Sequence, residues 1–577
     1  MKKWLYSLTM GLLLLACSNS TNPYDETVGS IAIVQDIEDK SVNVLTSPIV
    51  SDPANDPYTV ENMSRAMRSR ILAKSAADIA EVEQMSLEPN YLYVRFLAEG
   101  KRGMAELKAY DTSLVLFKHP LDYKHIRKPV VYIDPVLPDT IISLFATVPK
   151  DYKFGPTKYE VIKELFLVEP LDGDCEKDDC VEELDSATTE KKLLKRSAQS
   201  HNSPIFERLS EMGISLHEIE WESIKMTDNF ENRLKRKKRE IGELPAAAWS
   251  LFGGGKKYGG QLKFKDDVLG TQYLEGVRVI GGYSYYWREA HTDEEGKFKI
   301  PEKWNFNIDY EANFDDQEFL LEDGHSSYGE DLEIEKNDMS GDWKQTFAGD
   351  TAKWCAVWTA AYQYWHGNRY NLKKPRTNTA GNMSLDIEVY YKNDGDFKTA
   401  VEEDGSDYNK GMYGYYTTRS SDDRILIRAY KRASDGLYRS TIHEIAHFSL
   451  MTNQKSSILN AEDENYRNAY TRGIEWFFTN RRYCPGDLNA VCGIYYEPHY
   501  IGIVQDLIDD EGDIAGYGGN EKVSGFKIID VEKAFFASKN LDEVRSYILD
   551  KLPSGKDGRS YTKTNLKNLF EFWKEWL

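Results

Sequence analysis

Two histidines and a glutamate lie within five residues, in the segment His443-Glu444-Ile445-Ala446-His447. Residues four apart on a helix lie one turn apart on the same face, so the two imidazoles converge on one point. Two imidazoles at this spacing are typical ligands of Zn²⁺, and the adjacent glutamate is placed to take a proton from a metal-activated water. The pattern predicts a helix that bears two metal ligands, His443 and His447, and a general base, Glu444.

The sequence around this motif predicts a buried helix beside a sheet. The helical pattern extends from Leu437 to Leu450 and begins near Asp435-Gly436. The strand-like segment Ile425-Leu426-Ile427 precedes it at the distance expected of an edge strand beside a cleft. The residues that flank the motif are uncharged, as a buried metal-site helix requires: Thr441, Ile442, Ile445, Ala446 and Phe448.

A zinc site of this kind needs a third protein ligand. No His-x-x-Gly-x-x-His continuation follows the motif, which argues against the metzincin arrangement. A later helix is predicted over residues 462–483, with one polar stripe formed by Glu464, Asn468, Thr471 and Glu475. Glu475 is the preferred third ligand because its neighbours are apolar, so that an unpaired carboxylate there would be costly. Glu464 and Asn468 are the alternatives.

The N-terminus indicates export and a lipid anchor. A basic start is followed by a mostly apolar run from Leu5 to Ala16, which is too short to span a bilayer, and then by Cys17. Leu14-Leu15-Ala16-Cys17 resembles the lipobox of bacterial lipoproteins. The resemblance implies cleavage before Cys17, lipidation of its thiol and delivery to the outer membrane, with the periplasmic or the cell-surface side left open.

Five further cysteines remain after Cys17. In an oxidising envelope, the closely spaced pairs Cys175/Cys180 and Cys484/Cys492 are candidates for short-loop disulfides, which leaves Cys355 over.

The patterning predicts a multidomain α+β chain. Residues 1–17 are the signal, and 18–88 form a tether and a helical segment. We expect an N-terminal α/β domain over 89–170, with several short strands and a helix from Tyr159 to Phe166. A charged linker or helical region follows over 171–257. Residues 258–335 alternate at period two, which predicts a β-sandwich, and a mixed α/β domain that contains the histidine motif occupies 341–577.

Length and charge limit the classes of function. A chain of 577 residues is too long for a single hydrophobic core. The 94 acidic residues outnumber the 73 basic ones and give a net charge of −21, which argues against binding to nucleic acid. We expect a monomer that contacts the membrane only through its lipid.

Several segments together resemble a known family. The chain is similar to zincin-type metalloproteases on bacterial lipoproteins, in the gluzincin-like group that combines HExxH with a glutamate on a later helix. Within the predicted sandwich, the segments Glu275-Gly276-Val277-Arg278-Val279 and Thr292-Asp293-Glu294-Glu295-Gly296-Lys297-Phe298 resemble the carboxypeptidase regulatory-like domain, which is usually non-catalytic. The resemblance implies Zn²⁺ and a peptide or protein substrate, and it rests, besides the motif, on Leu92-Tyr93-Val94-Arg95-Phe96, Pro120-Leu121-Asp122-Tyr123, Asp134-Pro135, Asp506-Leu507-Ile508-Asp509-Asp510 and Val523-Ser524-Gly525.

The chain departs from the family pattern at one position. The family tends to place Glu-Ser where this sequence has Asn468-Ala469, so Glu475 or Glu464 would have to replace that glutamate as a ligand. Two hypotheses follow. The first is a lipid-anchored zinc metallopeptidase, and the second is a non-catalytic envelope protein that binds peptide or glycan on a degenerate zincin scaffold.

Overall fold

The structure is a computed structural model. It describes residues 55–74, 79–121, 132, 134, 136–138, 140–168, 204–227, 256–304, 307–325, 331–376, 385–403, 414–419, 422–454, 464–485, 502–508 and 522–575. These residues form helices and several sheets, which confirms the multidomain α+β class. Within these ranges no helix combines the length and the apolar composition needed to cross a membrane.

The N-terminal part joins helices to a three-stranded antiparallel sheet of order β2-β1-β3. Its elements are α1 (Val60–Lys74), α2 (Ile79–Glu83), β1 (Tyr91–Glu99), α3 (Gly100–Tyr110), β2 (Ile141–Pro149) and β3 (Lys158–Leu165). The helix predicted from Tyr159 to Phe166 is wrong, because this segment is strand β3 and pairs with β1 from Tyr91↔Leu165 to Leu97↔Lys158.

Two helices lie in the segment predicted to be a charged linker or helical region. They are α4 (Pro204–Glu211) and α5 (Leu216–Met226). Ser215 caps α5 by accepting a hydrogen bond from the backbone N–H of Glu218 at 3.1 Å. Helix α5 packs against α1, and Met67, Phe206 and Ile219 share one apolar cluster.

The central part contains two sheets, of order β11-β9-β6-β7 and β12-β4-β5, and β8 also pairs with β4. Alternating residues such as Leu262, Phe264, Phe298 and Ile300 are buried, as the period-two pattern predicts. The strands of this part are β4 (Lys256–Asp266), β5 (Gly270–Tyr273), β6 (Arg278–Tyr283), β7 (Tyr286–His291), β8 (Lys297–Trp304), β9 (Ile308–Asn313), β10 (Phe319–Asp323), β11 (Glu333–Met339) and β12 (Trp343–Phe347).

The C-terminal part combines a four-stranded mixed sheet with most of the remaining helices. Its elements are α6 (Asp350–Trp365), β13 (Leu385–Tyr390), α7 (Asp394–Glu403), β14 (Gly414–Arg419), β15 (Asp422–Arg428), α8 (Ser434–Asn453), α9 (Glu464–Tyr483), α10 (Ile503–Ile508), α11 (Ile528–Phe536), α12 (Leu541–Lys551) and α13 (Lys563–Glu575). The sheet order is β10-β13-β15-β14, with β14 antiparallel to β15. The helices predicted around the histidine motif and over 462–483 are present as α8 and α9.

The pairing of two strands crosses the predicted limits of the sandwich. Strand β10, from the 258–335 segment, pairs in parallel with β13 of the C-terminal sheet. Strand β12, from the following segment, pairs in parallel with β4. The segment Ile425-Leu426-Ile427 is an interior strand, so the prediction that it is an edge strand is wrong, and β14 holds the outer position in this sheet.

Helices cover both faces of the C-terminal sheet. Leu426 and Tyr390 pack against Phe397 of α7, whereas their strand neighbours Ile425 and Ile427 belong to the core shared with α8. Helix α8 also packs against α6 and α9. The sheet and two helices, α6 and α9, therefore enclose the apolar side of the helix that bears the histidine motif.

A buried glutamate on α11 holds α9 in place. Both carboxylate oxygens of Glu532 accept from the backbone N–H of Lys373, at 3.1 and 3.0 Å, and Oε1 also accepts from the Tyr470 hydroxyl at 3.4 Å. Burial raises the pKa of Glu532 to about 7, although the Lys373 N–H and charge, the Tyr470 hydroxyl and the charge of Lys533 act to lower it.

This raised pKa predicts that the fold loses stability as the pH rises. The folded chain keeps the proton on Glu532 up to about pH 7, whereas the unfolded chain releases it near 4.5. The contribution to the free energy of unfolding is complete below pH 4.5 and is lost as the pH rises through 7, by an amount on the order of 3 kcal/mol.

We expect Glu532→Gln to flatten this pH dependence between pH 5 and 8 in urea unfolding. Glu83→Gln, at an exposed position on α2, is the matched control and keeps the wild-type slope. Equal slopes for Glu532→Gln and the wild type would contradict the assignment.

Candidate metal centre

The first turn of α8 is anchored to the turn after β4. The Asp267 carboxylate accepts from the backbone N–H of Ser434 at 2.9 Å and from its hydroxyl at 3.1 Å. A carboxylate at this end of a helix also interacts favourably with the helix dipole. Asp266, the preceding residue, accepts from the Tyr483 hydroxyl at the end of α9, at 2.9 Å. This turn of the sandwich thus fixes the start of α8 and the end of α9, the two helices that carry the site residues.

Helix α8 brings the two predicted imidazoles together. The Nε2 atoms of His443 and His447 are 3.1 Å apart, and both rings are partly buried. Glu444, between them in the sequence, is 7% exposed. Burial, followed by the charges of His443, Arg467 and Arg472, lowers the pKa of His447 well below its ordinary value. His447 is therefore neutral at pH 7, which is the form that binds a metal ion.

The separation of the two nitrogens fits one metal ion. Nitrogen ligands at ~2.0–2.1 Å from a tetrahedral zinc lie roughly 3.3 Å apart, close to the observed 3.1 Å. The donor set is nevertheless incomplete, because the described ranges contain no group of three His, Cys, Asp or Glu side chains that could hold a metal ion.

Glu475 reaches His443 from the other side of the ring. Its Oε2 atom accepts from Nδ1 of His443 at 2.8 Å and from Arg472 at 3.1 Å, while Oε1 accepts from Nε of Arg439 at 3.0 Å. A histidine that donates from Nδ1 leaves the lone pair of Nε2 available, on the side that faces His447.

The Glu475 carboxylate is charged in spite of its burial. It is 3% exposed, and burial alone would raise its pKa. The charge of Arg472, the hydrogen bond and charge of His443, and the charge of Arg439 outweigh burial and lower the pKa of Glu475 to about 2.

The three candidates for the third ligand lie at different places. Glu475 contacts His443, but at the ring edge opposite the paired Nε2 atoms, so this geometry makes it the orienting partner of His443 and differs from the predicted role of direct ligand. Asn468 is partly buried about two turns earlier on α9, and Glu464 is exposed at the start of the helix. A third donor therefore stays a prediction.

Gly414 and Arg439 complete the surroundings of the motif, and sequence reasoning missed both. A Cβ at Gly414, the first residue of β14, would lie 2.9 Å from Cγ and Oε1 of Glu444, so any larger residue there would displace the Glu444 side chain. Arg439 lies one turn before His443, and this i, i+4 spacing is the signal that could have placed it beside the site.

The predicted modification sites lie largely outside the described ranges. Cys17, Cys175, Cys180 and Cys492 are not in them, and Cys484 lies just after α9. Each expected disulfide has at least one member outside these ranges, so both pairs stay predictions. Cys355 is free and buried in α6, and burial raises the pKa of its thiol.

Comparisons with known proteins leave the family open. No protein-family model matches the chain, and no curated protein matches it. A 9R-lipoxygenase from Cyanothece PCC8801 aligns with 50% of this chain, at 9% identity and a TM-score of 0.11. The alignment spans about half of that lipoxygenase, 56% of its chain. A superposition this poor carries no argument about fold or activity.

Removing the Glu475 carboxylate should destabilise the fold. Glu475→Ala leaves the buried Arg439 guanidinium and Nδ1 of His443 without their acceptor, and we expect a loss of about 3–5 kcal/mol in the free energy of unfolding. Glu464→Ala, at an exposed position on the same helix, should cost less than about 1 kcal/mol. Urea unfolding in metal-free buffer measures both, and equal losses would contradict the structural role of Glu475.

Proposed function

We propose that the protein is a lipid-anchored, zinc-dependent metallopeptidase that hydrolyses peptide bonds. One observation carries the proposal, namely the two Nε2 atoms of His443 and His447 at 3.1 Å on one helix, with Glu444 between them. The lipid anchor at Cys17 and the outer-membrane location are proposed from the sequence.

Each residue of the proposed site has a separate role. His443 and His447 would hold the ion, and zinc supplies a Lewis acid that activates water and polarises a carbonyl. Glu444 takes the proton from the attacking water and delivers it to the leaving amine. Glu475 accepts the hydrogen bond from Nδ1 and thereby fixes the orientation of the His443 ring, and Arg439 and Arg472 keep the carboxylate of Glu475 charged.

The position of β14 supports a peptide as the substrate. Among the described strands, β14 lies at one end of its sheet, and it begins at Gly414, close to Glu444. An extended peptide can add to such an edge through main-chain hydrogen bonds. A peptide bound in this way would pass the general base.

A second candidate function is a non-catalytic binding protein for peptide or glycan. It is favoured by the engagement of Glu475 with His443 and two arginines, and by the lack of a third metal donor among the described residues. Two imidazoles without a third protein ligand hold zinc more weakly than a complete site.

The experiment that separates the two candidates measures zinc and peptidase activity together. We expect the wild-type chain to hold one zinc per molecule and to cleave unstructured peptides. Glu444→Gln should keep the metal and lose at least about a hundredfold in kcat, because a positioned base contributes ~10²–10⁴-fold. His447→Ala should lose the metal itself.

Each outcome decides between the candidates. An active Glu444→Gln protein would overturn the role of Glu444. A wild-type chain that holds no zinc after dialysis against micromolar Zn²⁺ would exclude the peptidase and leave the binding protein.

The close approach of Gly414 gives a separate test of the geometry. Gly414→Ala places a methyl group against the Glu444 carboxylate, and we expect kcat/KM to fall roughly tenfold or more, since small displacements of catalytic groups are costly. Zinc content should not change. Gly395→Ala, on α7, is the control and should behave as the wild type; an unchanged kcat/KM in Gly414→Ala would contradict the assigned contact.

A further inference from the structure

The outer face of one sandwich sheet is rich in lysine. Along β4 and β8 the side chains that point inward are apolar, such as Leu262 and Phe298, and the alternate positions point outward. Five lysines line a groove of about 780 Å³ on this face: Lys257, Lys297, Lys299, Lys303 and Lys344. We refer to these five residues as the lysine face.

Strand register sets the spacing of these charges. Gln261, in the middle of β4, lies opposite Lys297 of β8 on one side and opposite Lys344 of β12 on the other. Adjacent strands are ~4.8 Å apart, so these two lysines flank β4 at roughly 10 Å. Gly259 and Gly260 add no side chain to the floor of the groove between them.

Most of these charges have no partner within the described ranges. The side chains of Lys257, Lys299, Lys303 and Lys344 make no hydrogen bond or ion pair with any described residue, whereas Lys297 pairs with Glu295. Two carboxylates line the groove, Glu302 and Asp342, and Glu302 is already bound by Arg288 at 2.9 Å.

This surplus of positive charge contrasts with the rest of the molecule. The chain as a whole has a net charge of −21. Like charges on neighbouring strands repel, so the fold gains no stability from collecting them on one face. A bound anion would offset this repulsion.

We propose that the lysine face binds a carboxylate-bearing polysaccharide. Ammonium groups on flexible stems act as point charges, and several of them along one groove complement the repeated negative charges of a polyanion. The ring of Tyr273, which is 51% exposed on the adjoining strand β5, lies 5.0 Å from Lys263 Nζ. The proposal concerns the sandwich and does not depend on the proposed peptidase activity.

Two other anionic partners fit the face less well. Single-stranded nucleic acid is held by successive aromatic rings and by arginine, and the groove lining contains no arginine. A membrane surface is bound more firmly when large apolar side chains insert beside the charges, and Pro301 is the one apolar residue among the exposed lining residues of this groove.

The test uses the purified full chain in detergent and polygalacturonate as the probe. Isothermal titration calorimetry at 50 mM salt should show binding that weakens as salt rises, and no binding to neutral dextran. The double variant Lys299→Glu/Lys344→Glu should lose at least about tenfold in affinity, since it reverses two charges in the groove. The control, Lys522→Glu/Lys556→Glu, changes the net charge equally at exposed positions outside the sandwich and should bind as the wild type.

Three results would overturn the proposal. The first is the absence of binding to polygalacturonate at low salt. The second is an equal loss of affinity in both double variants, which would show an effect of net charge alone. The third is equal or tighter binding, through the same lysines, to a single-stranded oligonucleotide or to vesicles that contain anionic lipid.

Discussion

The hydrogen bond between the Glu475 carboxylate and Nδ1 of His443 is the contact on which the site depends. It joins α9 to α8 inside the protein, where a carboxylate has no water to stabilise it. Arg439 and Arg472 supply the compensating charge, and because Arg439 and His443 belong to α8, their contacts with Glu475 favour one relative position of the two helices. The same bond sets the tautomer of His443 and directs its Nε2 toward His447.

Hydrogen bonds to the sandwich also help to hold α8 and α9 in their relative position. Asp266 and Asp267 belong to one turn of the sandwich, yet they bind the end of α9 and the start of α8, respectively. The sequence marks this turn as polar and turn-prone, but it does not show which distant groups the two carboxylates meet. The sandwich therefore contributes to the geometry of the site without supplying a reacting group.

Local patterns in the sequence predict the helices of the site, but they predict the contacts between those helices less well. The helical periodicity of 437–450 and 462–483 predicts α8 and α9, and the histidine spacing predicts the convergence of the imidazoles. The burial of Glu475 is also predictable from its apolar neighbours. Which edge of the His443 ring it binds depends on how two helices pack, and the composition of either helix alone does not determine this.

The incorrect predictions from the sequence also concern contacts between segments that are distant in the chain. The segment from Tyr159 to Phe166 contains Glu, Lys and Leu, which favour a helix, but its pairing with β1 makes it a strand. The contact of Gly414 with Glu444 joins residues 30 positions apart, and a single glycine gives little indication of it. The prediction of β structure over 258–335 includes β10, but it does not indicate the sheet that β10 joins, and strand β12 is not predicted.

Strands β10 and β12 each pair with a strand from the other side of the predicted boundary near residue 341. This pairing affects where the chain can be cut into fragments. A fragment that starts at residue 341 would lack β10 and leave the backbone amides and carbonyls along one side of β13 open to solvent. It would also contain β12 without β4 to pair with. Unpaired edges of this kind promote aggregation. We therefore expect an excised histidine-bearing half to stay soluble only if it retains the sandwich that precedes it.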